Sequence, residues 1–156
     1  MEPLSVAVHS VHKLGGLKTC ESVLVFGCGP VGLLCMAVAK ALGASRIIAV
    51  DIVGSRLEFA KHYAATDVFM PPGRKEGESA LEYSRRNSDE LKRHLSVSER
   101  GQDAIDLVVD ASGAEVSIQT AFCTVKAGGR IVQESLSFFS GALNIYSRRS
   151  ELENRI

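Results

Sequence analysis

The sequence predicts an α/β domain built on a doubly wound parallel sheet, with helices covering both faces. The first observation is a regular alternation of short apolar strands with helical segments, which is typical of parallel sheets. The second is the spacing Gly27-x-Gly29-x-x-Gly32, which joins an apolar strand directly to an apolar helix. The third is Asp51, an acid that ends the next strand. These features in this order predict a Rossmann-type sheet.

Each element follows from the residues in its segment. Near-continuous runs of Val, Ile, Leu and Phe predict buried parallel strands, and apolar residues at helical spacing predict the helices between them. Glycine pairs and Pro71-Pro72-Gly73 mark turns. In chain order the sequence predicts a helix at 3–14, a strand at 22–26, a helix at 31–42, a strand at 46–50, a helix at 55–63 and a strand at 67–70. It then predicts a helix at 76–95, a strand at 104–109, a helix at 116–125, a strand at 130–133 and a short strand at 143–146.

Length and charge predict a single domain. A chain of 156 residues can bury one core but has little room for two. We expect a dinucleotide-binding domain at 1–133, with an N-terminal helix within 1–16 and a charged helical insertion at 74–103, followed by an unassigned tail at 134–156. Lys plus Arg and Asp plus Glu number 18 each, so we expect neither a nucleic acid nor a membrane as a partner. Basic residues in the insertion alternate with acids, which favours a solvated helix face.

The four cysteines are scattered, without a C-x-x-C pair or a Cys/His cluster. This spacing predicts reduced thiols rather than a disulfide or metal framework. No apolar run is long enough to cross a bilayer, and the first residues lack the pattern of a signal peptide. We therefore expect a cytoplasmic protein.

The three glycines and Asp51 each have a physical task in binding a dinucleotide. Gly27 permits a tight turn, Gly29 has no side chain to keep a pyrophosphate from the backbone, and Gly32 allows close packing of helix on strand. The helix start offers unpaired N–H groups and a positive dipole end to the phosphates. The carboxylate of Asp51 can accept hydrogen bonds from the adenosine ribose.

A second small loop, Asp110-Ala-Ser112-Gly113, follows the predicted strand at 104–109. Ligands of doubly wound sheets bind beyond the carboxyl ends of the strands, near the reversal of strand order. Ser112 and Gly113 are therefore candidates for close approach by the nicotinamide half of a dinucleotide. A plain Ser-Gly turn explains the same residues equally well.

Five separated segments agree in order and spacing with one known family. They are Glu2-Pro-Leu-Ser-Val6, the segment 25–34 around the glycines, 50–61 around Asp51, 110–121, and Ala127-Gly128-Gly129. Together they resemble the cofactor-binding half of the zinc-dependent, medium-chain alcohol and polyol dehydrogenases, and within these the fungal xylitol dehydrogenases (D-xylulose reductases) and the sorbitol dehydrogenases. The resemblance extends from residue 2 to about residue 132.

The resemblance implies roles for individual residues. Pro30 and Val31 join the glycines beneath the pyrophosphate, Asp51 binds the adenosine ribose, and Arg56 lies near the adenine. Since the carboxylate of Asp51 would repel the extra phosphate of NADP, we expect NAD as the cofactor. Arg56 could soften that preference because an arginine can pair with phosphate. The family also uses zinc, and the resemblance implies that Glu2 contributes to its binding.

Two departures from the family bear on activity. The other zinc ligands of the family lie in an N-terminal GroES-like barrel, for which this sequence has no counterpart. At the end of the last matched strand, Glu134 and Ser135 replace an apolar residue and a glycine that touch the nicotinamide, and a carboxylate is unfavourable beside its carboxamide. His9 and His12 are three positions apart, but nothing nearby supplies a third zinc ligand.

The leading interpretation is the NAD-binding domain of a zinc-dependent polyol dehydrogenase, a truncated form that is inactive alone. In the family, xylitol or sorbitol is oxidised to a ketose as hydride passes to NAD, and zinc polarises the alcohol. The first alternative is a non-catalytic NAD-binding module, which could associate with a full-length relative. The second is another Rossmann enzyme, such as a methyltransferase.

Overall fold

A five-stranded parallel sheet forms the centre of the computed structural model, which describes residues 2–134. Its strands are β1 (Ser22–Phe26), β2 (Arg46–Val50), β3 (Asp67–Phe69), β4 (Ile105–Asp110) and β5 (Val125–Gln133). The strand order is β3-β2-β1-β4-β5. The chain thus runs outward from β1 to β3 and then crosses to β4 on the other side of β1. This reversal is the doubly wound topology, and it confirms the predicted fold class.

Within residues 2–134, four helices connect the strands and a fifth precedes the first strand. They are α1 (Glu2–Val8), which continues into a π-helical segment (His9–Leu14), α2 (Pro30–Ala41), α3 (Gly54–Tyr63), α4 (Ala80–His94) and α5 (Glu115–Thr124). The helices predicted at 31–42, 55–63 and 116–125 agree with α2, α3 and α5 to within one residue at each end. The strand predicted at 143–146 and the tail from 135 onward lie outside the described residues.

The prediction of a regular helix at 3–14 is wrong in its second half. The amide of Gly15 donates to the carbonyl of Ser10, five residues earlier, over 2.7 Å. The buried hydroxyl of Ser10 donates to the carbonyl of Val6 over 2.7 Å. Such a widened turn carries the chain from α1 toward β1, and the spacing of apolar residues could not distinguish it from an α-helix.

The helix in the charged insertion begins at Ala80 and not at the predicted residue 76. Ser79 caps it: the Ser79 hydroxyl accepts a hydrogen bond from the amide of Glu82, and the Glu82 carboxylate accepts one from the amide of Ser79. Arg86 forms an ion pair with Glu78 just before this cap, at 2.8 Å. These contacts favour a loop before residue 79, because a capping box fixes where a helix begins.

The fifth strand begins earlier than predicted, at Val125 instead of residue 130. Val125 pairs with Ile105, the register then shifts, and Arg130 pairs with Leu107. The glycines of the predicted turn therefore lie within an irregular first part of the strand. A β-bulge of this kind is permitted by residues with little or no side chain.

Two apolar layers hold the sheet between its helices. One layer includes Val23 and Val25 of β1 with Met36 of α2, all fully buried. The other includes Leu24 of β1 and Leu91 of α4, also fully buried. Both faces of β1 are thus covered, as the continuous apolar sequence of this strand predicts. None of the helices within residues 2–134 has the length and apolar character that crossing a bilayer requires.

The charged insertion is less solvated than predicted. Ser84, Asn87 and Ser88 of α4 are all at most 3 % exposed, and they face Thr120 and Thr124 of α5. The hydroxyl of Thr124 donates to the Ser88 oxygen over 2.9 Å, and the Ser84 hydroxyl donates to the carbonyl of Val116 over 3.2 Å. Helix α4 therefore docks on α5 through small hydrogen-bonded side chains, which a search for apolar spacing does not detect.

A charged clasp at the amino ends of the strands predicts sensitivity to acid. Asp106 pairs with Lys126 and accepts hydrogen bonds from the amide and hydroxyl of Ser22 at 2.8 and 3.0 Å. Burial alone would raise the pKa of Asp106, but these partners outweigh it and hold the pKa below its ordinary value of 3.8. A carboxyl group with a lowered folded-state pKa stabilises the fold above its unfolded-state pKa, and this stability is lost as the pH falls through the folded-state pKa.

We therefore expect Asp106→Asn to lower the free energy of unfolding at neutral pH and to flatten its decline below pH 3.8. Denaturant unfolding of the wild type and the variant over this pH range measures both effects. The control is Asp103→Asn, which changes an exposed acid near the same strand. Parallel curves for the wild type and Asp106→Asn would show that the clasp does not contribute.

Candidate dinucleotide-binding site

The glycine turn after β1 is packed against the loop after β4. Gly27 has φ +91°, a conformation that residues with a side chain rarely adopt. A Cβ at this position would lie 3.0 Å from the backbone of both Ala111 and Ser112. The amide of Gly27 also donates to the carbonyl of Val50 over 2.8 Å, and the amide of Ala111 donates to the carbonyl of Phe26 over 2.9 Å. The carboxyl ends of β1, β2 and β4 therefore meet at Gly27.

The other two glycines have opposite surroundings. A Cβ on Gly32 would lie 1.9 Å from the carbonyl oxygen of Gly27, so the helix can approach the turn only because Gly32 has no side chain. A Cβ on Gly29 would meet nothing within 4 Å. Gly29 thus borders open space at the start of α2, where Pro30 is the first helical residue and no side chain caps the helix. Such a helix end offers N–H groups and a positive dipole to an anion.

Asp51 follows β2 and ties the glycine turn to α3. One carboxylate oxygen accepts a hydrogen bond from the amide of Cys28 over 2.7 Å, and the other accepts one from the amide of Val53 over 2.9 Å. The residue is buried, with 8 % of its surface exposed. Each carboxylate oxygen has a second lone pair, which leaves capacity for a ligand hydroxyl.

Arg56 lies in the first turn of α3 and is exposed. The positive charge of Arg56 acts on the Cys28 thiol in the glycine turn. Burial raises the pKa of the Cys28 thiol to about 12, and the negative charge of Asp51 adds to this effect while Arg56 opposes it. A cation and an anion thus flank the same stretch of backbone. Cys28 itself is 3 % exposed and serves as a compact apolar side chain in the turn.

The loop after β4 is organised by Asp110. One of its carboxylate oxygens accepts hydrogen bonds from the hydroxyl and the amide of Ser112, at 2.6 and 3.0 Å. The Ser112 oxygen in turn accepts a hydrogen bond from the amide of Ala114 over 3.2 Å. Asp110 is fully buried, and its second oxygen has no hydrogen-bond partner among residues 2–134. Burial raises the pKa of this carboxyl above its ordinary value, with the hydrogen bonds from Ser112 and Gly113 opposing the shift.

The structure brings most of the predicted site residues to one edge of the sheet. The glycine turn with Pro30 and Val31, the acid after β2, Arg56 of α3 and the Ser112–Gly113 loop all lie at the carboxyl ends of the strands. Sequence reasoning missed the contact of Ala111 with Gly27 and the organising role of Asp110. The spacing of Asp110 and Ser112 is a recognisable signal, since an Asp often accepts a hydrogen bond from the backbone two residues on.

The resemblance implies two bound groups, a dinucleotide and a zinc ion, and the described residues of this chain fit only the dinucleotide. The open space at Gly29, the uncapped start of α2 and the carboxylate of Asp51 beside the glycine turn fit a dinucleotide. Zinc does not fit. Glu2 lies exposed in the first turn of α1, and across residues 2–134 no three His, Cys, Asp or Glu side chains come together in a group that could hold a metal. A catalytic zinc needs about three protein ligands.

Comparison with known proteins then assigns the family. A family model described as "Zinc-binding dehydrogenase" matches residues 30–152, more than half of the sequence. The chain belongs to the zinc-binding dehydrogenases. This assignment confirms the predicted resemblance, and it favours a dehydrogenase over the methyltransferase alternative.

Proteins similar to this chain include a D-xylulose reductase, an alcohol dehydrogenase and a butanediol dehydrogenase. The D-xylulose reductase A of Aspergillus niger is 51 % identical over 133 residues, which are 85 % of this chain and 34 % of the relative. Among solved structures, the alcohol dehydrogenase TADH from Thermus sp. ATN1 is 30 % identical with a TM-score of 0.64, covering 86 % of this chain and 34 % of that one. The 2R,3R-butanediol dehydrogenase from Bacillus subtilis is 26 % identical with a TM-score of 0.68, covering 90 % of this chain and 35 % of that one. The chain thus spans about a third of the length of these relatives.

Proposed function

We propose that this chain binds NAD as the cofactor-binding part of a polyol dehydrogenase. The open space at Gly29, next to the uncapped start of α2, is the observation that carries the proposal. A backbone without a side chain beside free helix N–H groups suits a pyrophosphate, which is bulky and doubly negative. The D-xylulose reductases among the relatives support a small polyol and its ketose, such as xylitol and D-xylulose, as the reacting pair.

In this proposal the residues of the chain bind and orient the cofactor, which accepts a hydride when it is bound. Gly29, with Pro30 and Val31, lies under the pyrophosphate. Asp51 accepts hydrogen bonds from the adenosine ribose with lone pairs that its contacts to Cys28 and Val53 leave available.

The nicotinamide half extends over the loop formed by Ser112 and Gly113, on the other side of β1. This arrangement follows from the two halves of a doubly wound sheet, each of which binds one mononucleotide. The hydrogen bonds from Ser112 to Asp110 support it, since they fix the loop before any ligand arrives.

Asp51 supports NAD over NADP. Its carboxylate is held between the amide of Cys28 in the glycine turn and the amide of Val53 before α3, so it cannot swing away from a phosphate on the adenosine ribose. The carboxylate of Asp51 and the extra phosphate of NADP are both negatively charged, and their repulsion disfavours the binding of NADP. Arg56 is exposed and free to approach the same region, which would reduce the discrimination without reversing it.

We expect the wild-type chain to bind NAD at least about tenfold more tightly than NADP, a difference of about 1.4 kcal/mol. Calorimetric titration with the two cofactors measures this ratio, and S-adenosylmethionine serves as a negative control. Equal affinities for NAD and NADP would contradict the assignment of Asp51. The absence of any dinucleotide binding would contradict the proposed function itself.

We further propose that this chain alone binds NAD without oxidising a polyol. Glu2 is the one zinc ligand that the resemblance carries over, and a single carboxylate does not hold a catalytic zinc. An assay with xylitol, NAD and added zinc distinguishes an enzyme from a non-catalytic module, because turnover above background would assign catalysis to this chain. We propose that a non-catalytic module of this kind would have a full-length relative as its partner.

The cysteines are free thiols. Reduced thiols are typical of cytosolic proteins, which supports a cytoplasmic location.

A further inference from the structure

Glu134 is the first residue beyond β5, at the same edge of the sheet as the proposed cofactor site. Its amide donates to the carbonyl of Asp110 over 2.8 Å, which extends the pairing of β4 with β5 by one residue. The side chain is partly exposed. Among residues 2–134 its carboxylate has neither an ion-pair partner nor a side-chain hydrogen bond. Glu134 is thus an anchored backbone position whose negative charge is not paired with any cation of residues 2–134.

The carboxylate of Glu134 lies on the α2 side of the sheet. Side chains alternate along a strand, and Val132, two residues earlier, packs in the core layer that contains Met36 of α2. An independent observation agrees with this orientation. Burial raises the pKa of the Cys35 thiol in α2 to about 12, and the negative charge of Glu134 adds to the shift. Glu134 therefore faces the helix whose first turn borders the glycine turn.

The strand order assigns Glu134 to the nicotinamide half. Asp51 ends β2 on one side of β1 and marks the adenosine half, while β4 and β5 lie on the other side of β1. Asp110, which binds the amide of Glu134, is the residue that also holds Ser112 of the candidate nicotinamide loop. The chain thus places a carboxylate beside the region where the second mononucleotide of a dinucleotide binds.

We propose that Glu134 makes the site select the oxidised cofactor, because its carboxylate attracts the positively charged nicotinamide ring of NAD and not the neutral ring of NADH. The inference rests on the proposed function. The ring charge is the decisive difference between the two ligands, since the pyrophosphate, the riboses and the carboxamide are the same in both. Any unfavourable contact of Glu134 with the carboxamide therefore cancels in the ratio of the two affinities.

The expected effect is moderate. The partly exposed charge of Glu134 is screened by water, so we expect a factor of about five in the ratio of affinities. The ratio of the two affinities also determines how readily the bound cofactor gives up its hydride. Whatever stabilises bound NAD over bound NADH makes hydride loss from the bound NADH more favourable by the same factor. Glu134 would thus favour the release of hydride from bound NADH over its acceptance by bound NAD.

The test compares Glu134→Gln with the wild-type chain in titrations with NAD, NADH and ADP-ribose. We expect the ratio of the NADH to the NAD dissociation constant to fall about fivefold in the variant, whereas the affinity for ADP-ribose, which lacks the nicotinamide, stays unchanged. The fivefold difference should shrink at high salt, because mobile ions screen exposed charges. Glu58→Gln, an exposed change on α3 in the adenosine half, is the matched control and should leave the ratio at its wild-type value.

An unchanged NADH-to-NAD ratio in a Glu134→Gln chain that still binds both cofactors would overturn the inference and leave the proposed function intact. A Glu58→Gln chain whose NADH-to-NAD ratio changes as much as that of Glu134→Gln would also overturn the inference and leave the proposed function intact. A wild-type chain that binds neither cofactor would instead overturn the proposed function, and the inference with it. Far-ultraviolet circular dichroism of each variant shows that the comparison is made between folded proteins.

Discussion

Gly32→Ala is expected to destabilise the fold by about 3 kcal/mol, because the added Cβ would lie 1.9 Å from the carbonyl oxygen of Gly27. The obstacle is backbone and not the end of a flexible side chain, so α2 must move away from β1. Fully buried side chains of α2, Met36 and Ala39 among them, would then lose contacts with the sheet. A loss of this size is a large share of the stability of a single domain. Denaturant unfolding monitored by circular dichroism measures it.

Gly29→Ala is the matched control for this prediction. It adds the same methyl group three residues earlier, where a Cβ meets nothing within 4 Å. We expect its stability to stay within about 1 kcal/mol of the wild type, the usual range for Gly and Ala at the start of a helix. Its affinity for NAD should nevertheless fall about tenfold or more, since the methyl group enters the space proposed for the pyrophosphate. Equal stabilities of Gly32→Ala and Gly29→Ala would refute this account of the turn.

Asp51→Ala is expected to reduce both stability and NAD binding. The substitution removes the acceptor of two backbone amides, those of Cys28 and Val53. Because Cys28 is buried, its amide would be left without a partner, and we expect a loss of about 2 to 4 kcal/mol in the free energy of unfolding. NAD affinity should fall at least about tenfold, while the preference for NAD over NADP should largely disappear.

Asp51→Asn separates the two effects. Asparagine keeps one acceptor oxygen in the place of a carboxylate, so it can satisfy one of the two amides and should cost about half as much stability as Asp51→Ala. It also removes the negative charge, and the discrimination against NADP should fall as far as it does in Asp51→Ala. Calorimetric titration and denaturant unfolding of both variants measure the two quantities. A variant of Asp51 that keeps full stability would contradict the bridging role of the carboxylate.

The sequence was most informative where function depends on local order. A strand, three glycines, a helix, a strand and an acid lie within about thirty residues, and each feature constrains its neighbours directly. The predicted strand at 22–26 is the observed β1, and Asp51 is the residue that follows β2. The fold class follows from the same alternation, since short connections between strands and helices allow few topologies.

Features that depend on distant contacts could not be predicted in the same way. The start of β5 at Val125 depends on its pairing with Ile105, and the docking of α4 on α5 depends on hydroxyl groups that have no apolar periodicity. The tight packing of Gly27 against Ala111 joins residues that are far apart in the sequence. Each of these contacts is specified by tertiary geometry, which local propensity does not encode.

The packing of Gly27 against Ala111 also affects the order in which the protein acquires its site. The glycine turn lies in the first βαβ unit, but its shape depends on a loop that is synthesised more than eighty residues later. The hydrogen bonds of Ser22 with Asp106 bridge 84 positions at the other end of the same strands. Closing loops of this length is slow compared with forming a local helix or turn. We therefore expect cofactor binding to appear late during folding, when β4 inserts beside β1, although every glycine of the motif has been present since the earliest steps.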